Sequence, residues 1–256
     1  MGRLQDLVAV VTGAGSGIGR ASAQHFAREG ARLVVADMRA DAAAETTELI
    51  RREGGAAECI QADVSDRAQV EAMIDVAIRH FDRVDVLFNN AGVPMSFTPF
   101  DQVDDAVWDR IMDVNVKGVY YGIQAVLPHM RRQGGGVILN TASTAGIRPR
   151  PGLAPYAASK AAVISITKTL ALELAQDRIR IVAICPVAVD SPMLPSFIGV
   201  ERGADLEAGR QRFLATIPWG RFNTPEDIAR AAVYLASPEA EMVNGTAFEI
   251  DGARDV

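Results

Sequence analysis

Two residues four apart, Tyr156 and Lys160, lie in a stretch that reads as helix after Pro155. Residues at that spacing share one helix face. A free phenol has a pKa near ~10 and is a poor base at neutral pH. A lysine ammonium one turn away favours the phenolate. Bringing that pKa to ~7 requires about 4 kcal/mol of differential stabilisation, which nearby cations in a partly dry pocket can supply. Ser143 follows an apolar run at 137–141, where its hydroxyl could hold a carbonyl oxygen beside Tyr156. Asn115 sits inside a helical pattern, where asparagine is a poor choice; the local cost implies a task, such as holding a water near Lys160. Singly, each feature has an ordinary reading: a core tyrosine, a surface lysine, a strand-end serine. As an ordered set they point to proton transfer at a carbonyl or hydroxyl oxygen.

A second cluster lies near the start of the chain. Gly13, Gly15, Ser16, Gly17, Ile18 and Gly19 join the first apolar run to the first helical pattern. Glycine lets a backbone turn tightly and approach a pyrophosphate, and the helix N-terminus adds free N–H groups and positive dipole. Asp37 closes the second apolar run eighteen residues past Gly19, near the spacing of an acid that binds ribose hydroxyls. Its ordinary reading is a helix N-cap. A carboxylate there repels a 2′-phosphate, Met38 follows it, and Arg39 is the one basic residue close by. The pattern predicts NAD as cofactor in preference to NADP.

The elements that must position these groups alternate. Apolar runs at 7–12, 32–36, 57–62, 84–88, 137–141, 179–184 and 247–250 read as strands. Helical patterns fall at 17–29, 41–53, 66–81, 104–130, 155–175 and 224–236, the last opening on Thr224 as N-cap with Pro225 behind it. Apolar strands alternating with helices give an α/β fold: a doubly wound parallel β-sheet of Rossmann type, with helices on both faces. No linker or repeat divides residues 1–256, so a single dinucleotide-binding and catalytic domain is expected. Residues 191–218 show no strand pattern and carry Pro192, Pro195 and Pro218. An insertion at a strand's carboxyl end predicts a substrate lid; the alternative is a passive surface loop.

Bulk properties exclude other classes. The chain has 256 residues and a net charge of −6, which argues against nucleic-acid and anionic-membrane partners. No run approaches the length of a membrane span, no secretory segment opens the chain, and Cys59 and Cys185 have no ligand spacing. A cytoplasmic protein is expected. His25, His80 and His129 are scattered and read as surface residues, so no metal site is expected.

The ordered set resembles the short-chain dehydrogenase/reductase family, in its short single-domain branch, from about residue 4 to 252. The resemblance rests on the glycine turn at 12–19, Asp63 and Val64, Asn89 to Gly92, Asn115, Ser143, and Tyr156 with Lys160. It implies that Asp63 and Val64 line an adenine pocket and that Asn90, Ala91 and Gly92 pack beside the cofactor. It implies a catalytic tetrad of Asn115, Ser143, Tyr156 and Lys160, with Lys160 also on the nicotinamide ribose and hydride passing directly to the substrate. Pro186, Val187, Val189 and Ser191 are expected at the nicotinamide. The family usually has glycine where Val187 stands, threonine where Ser191 stands and glycine where Ala253 stands; Val187 implies a narrower pocket. Ala145, Ile147, Leu153, Val187, Met193 and Leu194, with Phe197, predict a neutral, apolar ketone or alcohol, with Ser143 and Tyr156 at its oxygen. Arg148 and Arg150 bracket Pro149 near the same mouth and read as solvated, the alternative being recognition of an anionic substrate. Ala157, Ala158, Ala161 and Ala162 give the helix a small-residue surface, and the resemblance implies a homotetramer. The expected activity is NAD(H)-dependent interconversion of a secondary alcohol and a ketone. The alternatives are reduction of 3-oxoacyl thioesters, or a non-catalytic NAD-binding regulatory module.

Overall fold

Seven strands form one parallel sheet: β1 (Val8–Thr12), β2 (Arg32–Asp37), β3 (Ala57–Gln61), β4 (Val86–Asn89), β5 (Gly136–Thr141), β6 (Ile179–Pro186) and β7 (Ala247–Ile250). They lie in the order β3-β2-β1-β4-β5-β6-β7. The computed structural model describes residues 2–197 and 206–256. Every residue of β1 is buried, as is nearly all of β6, as fully apolar runs covered on both faces require. One face carries Val10, Val34, Leu87, Ile138 and Ile181 against α3 (Arg67–Phe81), α5 (Gly118–Gln133) and α6 (Ala154–Leu174). The other carries Val11, Leu33, Phe88, Leu139 and Val182 against α1 (Gly17–Arg28), α2 (Ala40–Arg52) and α8 (Pro225–Ala236). The chain winds outward from β1 to β3, then returns to place β4 on the other side of β1. A crevice opens at that reversal, above the strands' carboxyl ends.

The cap expected at Thr224 is present, and Asp66, read as the first helical residue, is a cap as well. The Asp66 carboxylate accepts from the backbone of Ala68 and Gln69 to start α3, and Thr224 and Asp227 form a reciprocal capping box on α8. The helix expected over 104–130 is a broken one. It begins as α4 (Asp105–Met112), passes through a π-helical turn at Asp113–Lys117, and continues as α5 to Gln133. The wide turn is where Asn115 leaves the regular ladder, as π-turns at sites often do.

Residues 194–197 form a 3₁₀ turn and Leu206–Leu214 form a helix, α7. The centre of the expected lid, 198–205, lies outside the described residues. Leu194, Phe213, Ile217 and Phe222 pack around Val187 and seat this insertion on the end of β6. No helix among the described residues is long and apolar enough to cross a membrane.

Candidate active site

The crevice is a single cleft of about 1320 Å³ that runs from Gly13 and Asp37 at one end to Leu153, Tyr156 and Phe197 at the other. Its first end is built on the turn after β1. Gly13 has φ +62, and a Cβ there would stand 2.9 Å from Ala91 Cα, so only glycine serves. Gly19 lets α1 press on that turn, since a Cβ would meet the Gly13 carbonyl at 2.2 Å. Gly15 and Gly19 are therefore structural parts of the turn, behind the cleft wall formed by Gly13, Ser16, Gly17 and Ile18. Ser16 is the N-cap of α1, yet its side chain makes no capping bond. Orphan N–H groups at a helix start suit an anion.

Asp37 is buried at this end. Its Oδ2 accepts from Gly15 N at 2.8 Å and its Oδ1 from Arg39 N at 2.9 Å. The N-cap of α2 is Arg39, so capping does not account for Asp37. Met38 and Asp63 line the same wall with Val64. Met38 is exposed, and the Asp63 carboxylate is turned onto Ser65.

Asn90, Ala91 and Gly92 follow β4 and stay close to β1. Asn90 Nδ2 donates to the Thr12 carbonyl at 2.9 Å, and the backbone N–H groups of Asn90 and Ala91 both donate to Thr12 Oγ1 at 3.0 Å. Behind them runs a buried chain of amides: Asn89 Nδ2 donates to Asn140 Oδ1, and Asn140 Nδ2 donates to Thr167 Oγ1. Asn140 and Thr167 carry no motif of their own; a polar residue inside the apolar strand β5 is the signal that marks the first.

At the other end α6 aims Tyr156 and Lys160 inward. Tyr156 is 8% exposed and its ring lies 5.1 Å from that of Phe197, over Met95, Ala145 and Leu153. Lys160 is 4% exposed. Its Nζ donates to the Thr141 carbonyl at 2.8 Å and sits 5.7 Å from the centre of the Tyr156 ring. Ser143 Oγ accepts from Ala145 N at 3.1 Å, which fixes the hydroxyl at the end of β5. Burial pushes the Tyr156 phenol up to about 12, with a hydrogen bond to Ser143 pulling the other way. Burial likewise pulls the Lys160 ammonium down to about 8. The phenol is thus raised where a lowering by Lys160 was expected, because desolvation outweighs the hydrogen bond with Ser143.

Asn115 is buried in the π-turn but does not line the cleft. Its Oδ1 accepts from Val93 N at 2.8 Å, and its Nδ2 donates to the Val93 carbonyl and to Ser159 Oγ. The side chain ties the loop after β4 to α6 one residue from Lys160, where the sequence reading expected it to hold a water.

Pro186, Val187, Val189 and Ser191 line the cleft, as do Ala145, Leu153, Met193 and Leu194. Val187 does not have a positive φ; its N–H donates to the Ile250 carbonyl and its bulk is absorbed against Leu194 and Phe222. Ile147 is a correction. The 3₁₀ turn Thr144–Gly146 swings it out of the cleft into a separate depression with Ile164 and Lys168. Arg150 is another: it lines the cleft and pairs with buried Asp255, while Arg148 is exposed. Ala253 adopts φ +65, the left-handed conformation for which glycine is the natural choice.

A glycine-cradled helix start, an acid at the end of β2 and a buried Tyr–Lys pair across one cleft define a dinucleotide-dependent oxidoreductase. The family model for the short chain dehydrogenases matches residues 7–198, and the chain belongs to that family. It is 42% identical to 4-formylbenzenesulfonate dehydrogenase TsaC1/TsaC2 of Comamonas testosteroni, covering 99% of each chain. It is 43% identical to 3beta-hydroxysteroid dehydrogenase 1 of Eggerthella lenta, covering 97% of this chain and 94% of that protein. Among solved structures it resembles 3-ketoacyl-(acyl-carrier-protein) reductase from Brucella melitensis complexed with NADH, at TM-score 0.91 and 41% identity, covering 99% and 100% of the two chains. It is an oxidoreductase acting on alcohol or ketone groups.

Proposed function

We propose that this protein is an NAD(H)-dependent dehydrogenase of the cytoplasm that interconverts a secondary alcohol and its ketone on a body with apolar surface. The observation that carries the reading is Tyr156, buried beside Ser143 and Lys160 at the far end of a cleft whose near end is a pyrophosphate cradle. The residues fit the dinucleotide. The uncapped start of α1 suits the pyrophosphate, Asp37 keeps a lone pair on each oxygen for ribose hydroxyls, and Val64 gives an apolar wall for the base. Lys160 would reach the second ribose, and Pro186, Val189 and Ser191 would hold the nicotinamide. The bound dinucleotide supplies or accepts the hydride.

Ser143 donates a hydrogen bond to the substrate oxygen, and Tyr156 Oη exchanges the proton with that same oxygen. A phenol held near 12 is protonated at neutral pH and ready to act as acid in reduction. In oxidation it must lose its proton, and the Lys160 ammonium is the chain's own charge favouring that loss. Thr141 holds Lys160 in place, and Asn115 acts as a positioning residue by fixing Val93 and Ser159 around it. Ala145, Leu153, Val187, Met193 and Leu194 would enclose the substrate body, with the described parts of the insertion, 191–197 and 206–218, beside it. The names of the two curated relatives support a ring-bearing substrate.

A second reading, reduction of 3-oxoacyl thioesters, is favoured by the likeness to the Brucella melitensis reductase. Turnover followed at the NADH absorbance band separates the two, with secondary alcohols and cyclic ketones in one panel and 3-oxoacyl thioesters in another. Activity confined to thioesters overturns the first reading. We further propose a homotetramer joined in part through α6, where Ala158 and Ala161 are exposed and Leu172 is 84% exposed. Light scattering that finds a monomer at micromolar concentration contradicts it.

A further inference from the structure

Four arginines line the cleft: Arg39 beside Asp37, the exposed Arg110 on α4, and Arg150 and Arg254, whose situations differ. Arg150 donates to Oδ1 of Asp255, a nearly fully buried carboxylate, so its charge is matched. Arg254 lines the same cleft beside Phe213. Its Nε donates to Thr216 Oγ1 at 2.8 Å, and its guanidinium carbon lies 4.6 Å from the centre of the Phe213 ring. These contacts hold the side chain by one nitrogen and one face. Among the described residues it has no ion-pair partner within 4.0 Å. The Asp251 carboxylate, close by in sequence, is committed to the backbone N–H groups of Ala253 and Asp255. Burial and then the charge of Arg150 are the two largest influences on Arg254 and both disfavour its guanidinium, while the nearby Asp255 and Asp251 carboxylates act the other way and do not offset them. A half-buried cation beside another cation is costly unless an anion completes the site.

We infer that Arg254, with Arg150 beside it, binds an anionic group, a carboxylate or sulfonate, carried by the substrate whose carbonyl meets Tyr156. The inference rests on the catalytic reading above and deepens it. Phe213, Thr216 and Arg254 belong to the insertion after β6 and to the chain end, far in sequence from the pyrophosphate turn, and the apolar cluster of Val187, Leu194 and Ile217 lies against Phe213. The substrate would thus have an apolar body with a charged tail, which alters the sequence-based expectation of a neutral one. A planar guanidinium with free N–H groups matches a carboxylate or sulfonate edge.

The test uses three ketone pairs, each a keto acid and its methyl ester: 4-oxopentanoate, 4-acetylbenzoate and 3-oxoandrostane-17-carboxylate. In the unaltered protein kcat/KM should favour the acid by about 10- to 100-fold in at least one pair, as a charge-assisted hydrogen bond does. Arg254→Gln should bring the acid-to-ester ratio close to one, and Arg254→Lys should keep part of it. Equal use of acid and ester in every pair, or an acid preference that survives Arg254→Gln, overturns the inference. Lost NADH affinity in Arg254→Gln also overturns it, because the anion is then a phosphate of the dinucleotide. Calorimetry of the acids with the NADH-loaded protein separates the two layers. Acid binding without turnover contradicts the catalytic reading and leaves the anion site standing; neither binding nor turnover of any acid overturns the inference.

Discussion

Replacing Asp37 with asparagine should erase the preference for NAD over NADP. The Asp37 side chain is only 9% exposed and is held by Gly15 N and Arg39 N, so it cannot swing away from an incoming 2′-phosphate. Two unit charges about 4 Å apart in a partly solvated protein site repel by about 4 kcal/mol. Arg39 Nε stands 3.9 Å from Oδ1 with its side chain 58% exposed, and an exposed cation of that kind recovers at most about 1 kcal/mol. The difference, about 3 kcal/mol, corresponds to a preference of about 100-fold or more for NAD. Asp37→Asn removes the charge and keeps the shape, so the ratio of kcat/KM for NAD and NADP should fall by about that factor. The asparagine amide can accept only one of the two N–H groups, so a fall in Tm of several degrees should accompany the change. Equal use of the two dinucleotides by the unaltered protein would refute the reasoning, as would a ratio that Asp37→Asn leaves in place.

Two further outcomes concern stability. Ala253 holds φ +65, a conformation that costs a non-glycine residue about 1–2 kcal/mol. After the flexibility that glycine adds to the unfolded chain, Ala253→Gly should raise stability by about 0.5–1 kcal/mol in thermal melts; a lowered Tm would contradict it. Asp227 is lowered from 3.8 to about 2, first by the hydrogen bond from Arg221. A depressed carboxyl contributes stability that is present above its unfolded pKa and lost as pH falls through the folded one. Asp227→Asn should therefore be less stable than the unaltered protein at pH 7, with the gap closing between about pH 4 and pH 2. A gap that stays constant with pH would show that Arg221 and Asp227 do not form the pair seen here.

What could be read in advance was local. The glycine turn, Asp37 at the end of β2 and the helical spacing of Tyr156 and Lys160 are each set within a few residues, and all fall where their patterns place them. What escaped depends on contacts between distant parts of the chain. Asn115 is hydrogen-bonded to Val93 and Ser159 from within the π-turn. Arg150 finds Asp255 105 residues away, a pairing no spacing announces. Ile147 leaves the cleft because of a 3₁₀ turn one residue earlier. The sign of the Tyr156 shift also escaped, because an ammonium four residues away is visible in a sequence and the burial of the phenol is not.

The most direct measurement is hydride transfer by Tyr156→Phe. The substitution removes only the phenolic oxygen and leaves the ring that packs on Phe197. Turnover of a ketone the unaltered protein reduces should drop by about 10²- to 10⁴-fold while NADH still binds. A variant that turns over normally, or one that no longer takes up NADH, would contradict the placement of this phenol as the proton donor facing a bound dinucleotide.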